Sequence, residues 1–174
     1  DPILSALCVL WLLAPFLGWA VSRERSGRAR PGEEERVFLL HTAGDIWRYF
    51  QRLVTEERHW LPPDNLQETP EEEIAERTSP TNIGLALLSA VAAWDLGLTD
   101  RGSAFALVAH MLDTLETLPR FRGHLYNWYD IRSLAPLEPP YVSTVDSGNL
   151  LACLITLAGA AEEAGEPVLA EKAR

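Results

Sequence analysis

From Ile3 to Val21 the chain runs for nineteen residues without a charge, and no other feature restricts its fold so strongly. At about 1.5 Å per helical residue the run reaches roughly 28 Å, close to the ~30 Å hydrocarbon core of a bilayer. A helix apolar on every side belongs either in lipid or in the middle of a large core. Trp19 stands near the end of the run, where an amphipathic ring favours the interface, and Arg23, Arg25, Arg28 and Arg30 follow it. Basic residues on that flank put the rest of the chain on the cytoplasmic side. Pro15 is compatible with a span when neighbouring helices satisfy the carbonyl it frees, and less comfortable in a lone anchor. A secretory signal fits poorly, because the run exceeds the usual ~7–15 residues and no basic flank precedes it. The chain opens on Asp1 rather than Met, as a piece of something longer would. The competing reading is a helix buried in a soluble core. We read residues 1–30 as a transmembrane helix, spanning 3–21, with its basic flank.

Charge separates this end from the rest. The 174 residues hold 25 acidic and 15 basic side chains, a net of −10, and the four arginines against Asp1 and Glu24 make residues 1–30 net +2. Residues 31–174 therefore carry −12. So acidic a domain, without a Lys/Arg stripe, repels phosphate backbones, which excludes nucleic acid as a partner and favours a neutral or cationic ligand. With 47% apolar residues it can bury the core of one ordinary domain. Cys8 and Cys153 lie in unrelated apolar runs with no ligand-spaced His or Cys beside them, so neither a disulfide framework nor a metal site is expected, and both read as small buried hydrophobes. Gly84 and Gly148 fall inside helix starts rather than in a phosphate loop, and no cofactor is expected. His41, His59, His110 and His124 are scattered, with His110 reading as a core histidine. The acidic stretch from Glu71 to Glu76 reads as a solvated face.

The periodicity is helical almost throughout. After a polar linker at Pro31–Glu35, Val37–Arg58 carries a stripe of Leu40, Trp47, Phe50 and Val54. Proline-marked loop follows to Ser79. A second helix has Ser79 as cap, Pro80 at its first position, Ile83, Leu87, Val91 and Trp94 on one face, and Gly97 as its stop. Its alanines allow close neighbours all round, so it reads as an inner helix. The third, about Gly102–Leu118, aligns Leu107, Met111 and Leu115 and turns Asp113 and Glu116 outward, as an outer helix does. An aromatic loop spans 120–142, with a short hairpin expected around 125–134. The fourth helix is capped by Ser143 or Thr144, lined by Leu150, Leu154, Leu157 and Ala161, and ended by Gly165 and Pro167. The segments starting at Ser79 and Thr144 are both polar helix starts feeding an apolar helix, sixty-five residues apart, with an outer helix between them. This weak repeat is the arrangement of an α/α toroid, in which inner N-termini converge on one pocket; an isolated array of helical hairpins is the plainer alternative.

Four polar clusters lead into or join these helices: WLPPDN at 60–65, RTSPTN at 77–82, RGHLYNWYD at 122–130 and STVDSGN at 143–149. Amides, hydroxyls and carboxylates mixed with indole and phenol rings suit a sugar, whose hydroxyls want bidentate polar partners and whose C–H faces want an aromatic plate. For Ser79, Thr81, Asp146 and Ser147 a helix-capping role stands beside the ligand role. Trp128, out of helical register beside Asn127 and Asp130, reads as a cleft residue. Glycoside hydrolysis needs two carboxyls about 5–9.5 Å apart; the loop offers Asp64, Asp130 and Asp146, whose separation the sequence does not fix.

Taken together, WLPPDN, RTSPTNIGL (77–85), RGHLYNWYD and YVSTVDSGNL (141–150) resemble the glucoamylase-like α/α-barrel region of the cyclic β-1,2-glucan synthases, over roughly residues 45–160. The apolar segment with its basic tail is similar to the last membrane span before that region. The resemblance implies an all-α fold, an N-terminal transmembrane helix followed by the first part of an (α/α)6 toroid over 31–174. It implies a fragment of an inner-membrane enzyme whose middle domain cyclises linear β-1,2-glucan by transglycosylation, with a glucan chain, the membrane and the remainder of the parent polypeptide as partners. The site residues it points to are Arg77, Thr78, Asn82, Asn127, Trp128, Asp130, Asp146, Ser147 and Asn149, as substrate-binding or cleft-shaping groups. The family's catalytic glutamates are expected downstream, so no catalytic residue is assigned and the fragment alone is expected to be inactive. Leu151, Ala152 and Cys153 depart from the family's Ala, Gly and His, and Trp94 precedes Asp95 where a charged residue is commoner. A non-catalytic glucan-holding module, part of a β-glucan hydrolase barrel, and a helical membrane scaffold are the alternatives.

Overall fold

Serine and aspartate set where three helices of this chain begin. In the computed structural model, which describes residues 2–22 and 31–174, the Ser79 hydroxyl accepts the Asn82 N–H at 3.2 Å and opens α3 (Pro80–Asp95). Asp100 accepts the Ser103 N–H at 2.9 Å and opens α4 (Arg101–Thr117). Ser143 accepts the Asp146 N–H at 3.1 Å and opens α5 (Thr144–Glu163). Each cap satisfies a donor that would otherwise be orphaned in the first turn. Ahead of them lie α1 (Pro2–Ser22) and α2 (Glu33–Leu53), and α6 (Pro167–Lys172) follows.

The expected polar linker is half helix. Glu33, Glu34 and Glu35 form the first turn of α2, where three carboxylates suit the positive end of the helix dipole, and the Gly32 N–H donates to Glu35 Oε2 at 2.9 Å. At its other end α2 stops at Leu53 and a 3-10 turn, Glu56–Arg58, takes over. Gly97 at φ 72 and Gly165 at φ 75 end α3 and α5 in the left-handed region that glycine tolerates. Pro167 then starts α6 rather than merely stopping α5.

Among the described residues strand is confined to three two-residue pairs: β1 (Leu66–Gln67) with β2 (Glu73–Ile74), β4 (Arg120–Phe121) with β5 (His124–Leu125), and β3 (Arg77–Thr78) with β6 (Tyr129–Asp130), all antiparallel. The hairpin expected at 125–134 is present in part, shifted a few residues on: Tyr129 bridges Pro136 in antiparallel fashion, the Leu137 N–H donates to the Trp128 carbonyl at 3.0 Å and the Asp130 N–H to the Ala135 carbonyl at 2.9 Å. A second hairpin lies at Arg120–Leu125, closed by Arg122 and Gly123 at φ 50 and 87, and Tyr129–Asp130 also pairs across the fold with Arg77–Thr78.

The chain divides into two units, Asp1–Arg36 and Val37–Arg174. In the first, α1 is one uncharged helix of 21 residues with Trp11, Leu12, Phe16, Trp19 and Val21 all exposed. Its 21 residues are long enough to cross a bilayer. The basic flank at Arg23–Arg30 lies outside the described residues. By length and composition α5 would also qualify as a span, but Leu150, Cys153, Leu157, Ala158 and Ala161 bury one of its faces within the second unit.

In that second unit α3 and α5 pack together most extensively. Gly84 lets them approach: a Cβ on it would stand 2.9 Å from Cys153 Sγ. The helices run parallel, since Thr81 meets Asp146 near their N-termini while Trp94 and Ala161 share a cluster near their C-termini. Around them lies one core, with Ile83 and Leu87 from α3, Val108 and Met111 from α4, Leu157 from α5 and Trp47 from α2. Each fully buried aliphatic side chain contributes about 1.5–3 kcal/mol. Two readings are corrected here. His110 is exposed, stacking on Trp60 at 4.5 Å instead of sitting in the core. Cys8 is exposed while Cys153 is buried.

Candidate functional site

Ordinary helix physics brings residues of all four polar clusters to one place. The N-terminal ends of α3 and α5 lie side by side, and β3, which leads into α3, is zipped to β6 just after Trp128. The result is a continuous strip of bonded side chains.

At one end Asp64 accepts the Arg77 guanidinium through Nε at 3.1 Å and Nη2 at 2.9 Å on one oxygen, and Asn82 Nδ2 at 3.2 Å on the other. Arg77 also lies over the Trp128 ring, 4.9 Å from its centroid, so one indole face is covered by a cation. Asn127 is 5% exposed and joins the halves of the strip. Its neighbours set its amide orientation: the nitrogen donates to Asp146 Oδ2 at 2.8 Å, and the oxygen accepts the Tyr141 hydroxyl at 2.7 Å and the Trp128 indole N–H at 2.6 Å. At the other end Asp146 accepts the hydroxyls of Thr81 at 2.7 Å and Ser143 at 2.5 Å, and Asn149 donates to Thr81 at 3.1 Å. Six of the nine expected residues, Arg77, Asn82, Asn127, Trp128, Asp146 and Asn149, therefore belong to one network.

The other three do not face outward from it. Thr78 is fully buried in β3, and its hydroxyl has no hydrogen-bond partner among the described residues. Asp130 closes its own turn by accepting the Arg132 N–H at 3.0 Å and the Ser133 N–H at 2.7 Å, bonds led by Ser133 that hold its carboxyl below the usual range. Ser147 donates back to the Ser143 carbonyl at 2.7 Å, a local helix bond.

Several residues that matter were not distinguished in the sequence. Beside Asp64 and Asn82 a cleft of ≈ 300 Å³ is walled by Tyr49, Phe50, Pro62 and Pro63, with the Tyr49 hydroxyl donating to the Pro63 carbonyl at 2.8 Å. The WLPPDN cluster was the available signal for it. Glu76, expected as part of a solvated face, is a latch instead. It accepts Arg58 at 2.9 and 3.1 Å and Arg132 at 3.0 Å, and those bonds, Arg58 first, lower its pKa. Tyr129 is fully buried and pins the loop, donating to the Pro119 carbonyl at 2.8 Å and accepting the Tyr126 N–H at 2.7 Å; burial raises its pKa. Among the described residues no group of His, Cys, Asp or Glu is arranged to hold a metal ion.

No protein-family model matches the chain. A curated relative does: 160 residues, 91% of the chain, are 42% identical to part of the cyclic β-(1,2)-glucan synthase NdvB of Rhizobium meliloti (strain 1021). The chain resembles a cyclic β-1,2-glucan synthase. It spans only 6% of that relative's length. Among solved structures, a glucoamylase-like protein from Bacteroides fragilis NCTC 9343 superposes on 86% of the chain with TM-score 0.67 at 19% identity, the match covering 37% of that protein. An endo-β-1,2-glucanase from Chitinophaga pinensis, solved with sophorotriose and glucose, covers 77% of the chain and 35% of its own with TM-score 0.60 at 13% identity. A β-1,2-glucanase from Parabacteroides distasonis covers 84% of the chain and 22% of its own with TM-score 0.61 at 16% identity. These structures share their helical fold with most of this chain.

Proposed function

We propose that the chain is a segment of a membrane-bound cyclic β-1,2-glucan synthase. In this reading α1 crosses the inner membrane, leaving the globular part on its cytoplasmic side. Residues 31–174 are the opening part of an (α/α)6 toroid whose cleft holds a glucan for cyclisation by transglycosylation. The observation that carries the reading is the bonded strip from Asp64 to Asn149 across the paired ends of α3 and α5. Amides, carboxylates and a guanidinium held at fixed positions can exchange bonds with sugar hydroxyls, and Trp128 supplies a ring among them. The likeness to NdvB and to the glucan-cleaving structures supports a β-1,2-glucan as the ligand.

The strip binds rather than transfers protons. Asp64 is taken up by Arg77 and Asn82, Asp146 by Thr81, Ser143 and Asn127, and Asp130 by its own turn. The acid and nucleophile therefore come from elsewhere in the parent polypeptide. The same observation keeps a second reading in view, a module that only holds the growing glucan. The test is the full-length protein carrying this chain, given linear β-1,2-glucan. Ring formation in the wild type, with the KM for glucan raised about tenfold in Trp128→Ala, supports the enzyme reading. Loss of glucan binding in that variant with no change in any glycosyl transfer favours the holding module, and linear products alone favour a hydrolase.

A further inference from the structure

Outside the strip, the hairpin β4–β5 does something unusual with its aromatic residue. Its two-residue turn is tight, and in its register Phe121 stands directly opposite His124 while Arg120 stands opposite Leu125. Side chains paired across an antiparallel ribbon share a face. Leu125 is buried, so the Arg120–Leu125 face is the one turned to the core. Phe121 and His124 are thereby held on the other face, with Phe121 50% exposed although burial would favour it. The hairpin cannot relax inward, because Tyr129 pins its base through Pro119 and Tyr126.

Facing Phe121 and His124 are Tyr126, Pro140, Tyr141 and Val142, and the six enclose a pocket of ≈ 450 Å³, a volume typical of ligand sites at about 300–1,000 Å³. Three aromatic rings and a proline make its walls, and no carboxylate, Lys or Arg is among the lining residues, although the Arg122 guanidinium lies over the Phe121 ring at 5.3 Å; ring faces for C–H groups with a donor cation at the rim favour an uncharged, hydroxyl-bearing ligand. Tyr141 decides what that ligand is. Its ring lines this pocket while its hydroxyl donates to Asn127 in the middle of the polar strip. A polymer lying along the strip therefore reaches the pocket within the length of one phenol side chain.

We infer that the pocket formed by Phe121, His124, Tyr126, Pro140, Tyr141 and Val142 is an accessory subsite that stacks a glucosyl unit of the same β-glucan chain bound along the Asp64–Asn149 strip. The inference rests on the proposed function and adds a second place at which chain length is sensed. Short oligomers fill the strip alone; longer chains also engage the rings.

The experiment is calorimetric titration of the full-length, detergent-solubilised protein with linear β-1,2-glucans of graded length, comparing wild type, Phe121→Ala, Phe121→Tyr and Asn127→Ala. Phe121 is half exposed, so its replacement leaves the core intact. The expected result is a Kd for long chains raised about tenfold in Phe121→Ala, from loss of one aromatic contact and its buried area. Short oligomers bind Phe121→Ala as they bind wild type, Phe121→Tyr restores the long-chain affinity, and Asn127→Ala weakens every length. Wild-type affinity of Phe121→Ala for long chains, with Asn127→Ala still weakened, overturns the subsite and leaves the proposed function standing. Failure of the wild type to bind β-1,2-glucan of any length overturns both.

Discussion

Asn127 has one amide and three partners that do not otherwise meet: the carboxylate of Asp146, the phenol of Tyr141 and the indole of Trp128. Asn127→Asp keeps the shape but sets a second carboxylate against Asp146 in a nearly closed site. The expected outcome is a loss of about 2–4 kcal/mol, read as a lower melting temperature of the full-length protein that acidification partly restores. Tyr129→Phe removes the hydroxyl that ties Pro119 to Tyr126, and about 1–3 kcal/mol of stability is expected to go with it. For Glu76 the sign follows from its direction. Its folded pKa lies below its ordinary 4.5, so its contribution is complete above that pH and is lost as pH falls through the folded value. Glu76→Gln should lower stability at neutral pH and flatten the acid limb of a stability–pH curve. At this scale the sequence distinguishes Trp128, an indole out of helical register, but not Tyr129 beside it. Residue type suffices to notice a ring in a polar loop, whereas a hydroxyl pin depends on where Pro119 lies in space.

The spacing of α3 and α5 hangs on Gly84. Because its missing Cβ would fall 2.9 Å from Cys153 Sγ and 3.4 Å from the Leu150 Cα, Gly84→Ala must push the helices apart. A cost of about 1–3 kcal/mol is expected, and Cys153→Ala should recover part of it in a double-mutant cycle of thermal melts. Helix starts were the most legible elements, since Ser79 with Pro80 and Ser143 are chemical signals confined to a few neighbouring residues. The ends of α2 were less so: Glu33–Glu35 look like linker until the dipole of the following helix is considered. The pairing of β3 with β6 was beyond local reading. Two residues carry no periodicity, and their partners lie more than fifty positions away.

Over the whole second unit, apolar surface remains uncovered on the paired helices: Leu85 is 52% exposed, Val145 69%, Leu151 59% and Ile155 65%. Residues 36–174 expressed alone are therefore expected to aggregate or to lack a cooperative melt, and Leu151→Glu with Ile155→Glu should shift them toward monomer in light scattering. A monomeric, cooperatively melting 36–174 would contradict the reading of an open barrel segment. The recurrence of a polar helix start at Ser79 and Thr144 foreshadowed the parallel pair, because two apolar helices with like-capped ends bury each other most simply side by side. The size of the proposed toroid could not be read from it, as two inner helices do not fix the count of a ring. The bonds that Thr81 makes to Asp146 and Asn149 brace the two helix mouths against each other without a ligand. On the proposed function the wall is then stiff, and a sugar guest must conform to it. Discrimination among glucose linkages would then surface as differences in how long each oligomer stays rather than in how fast it lands.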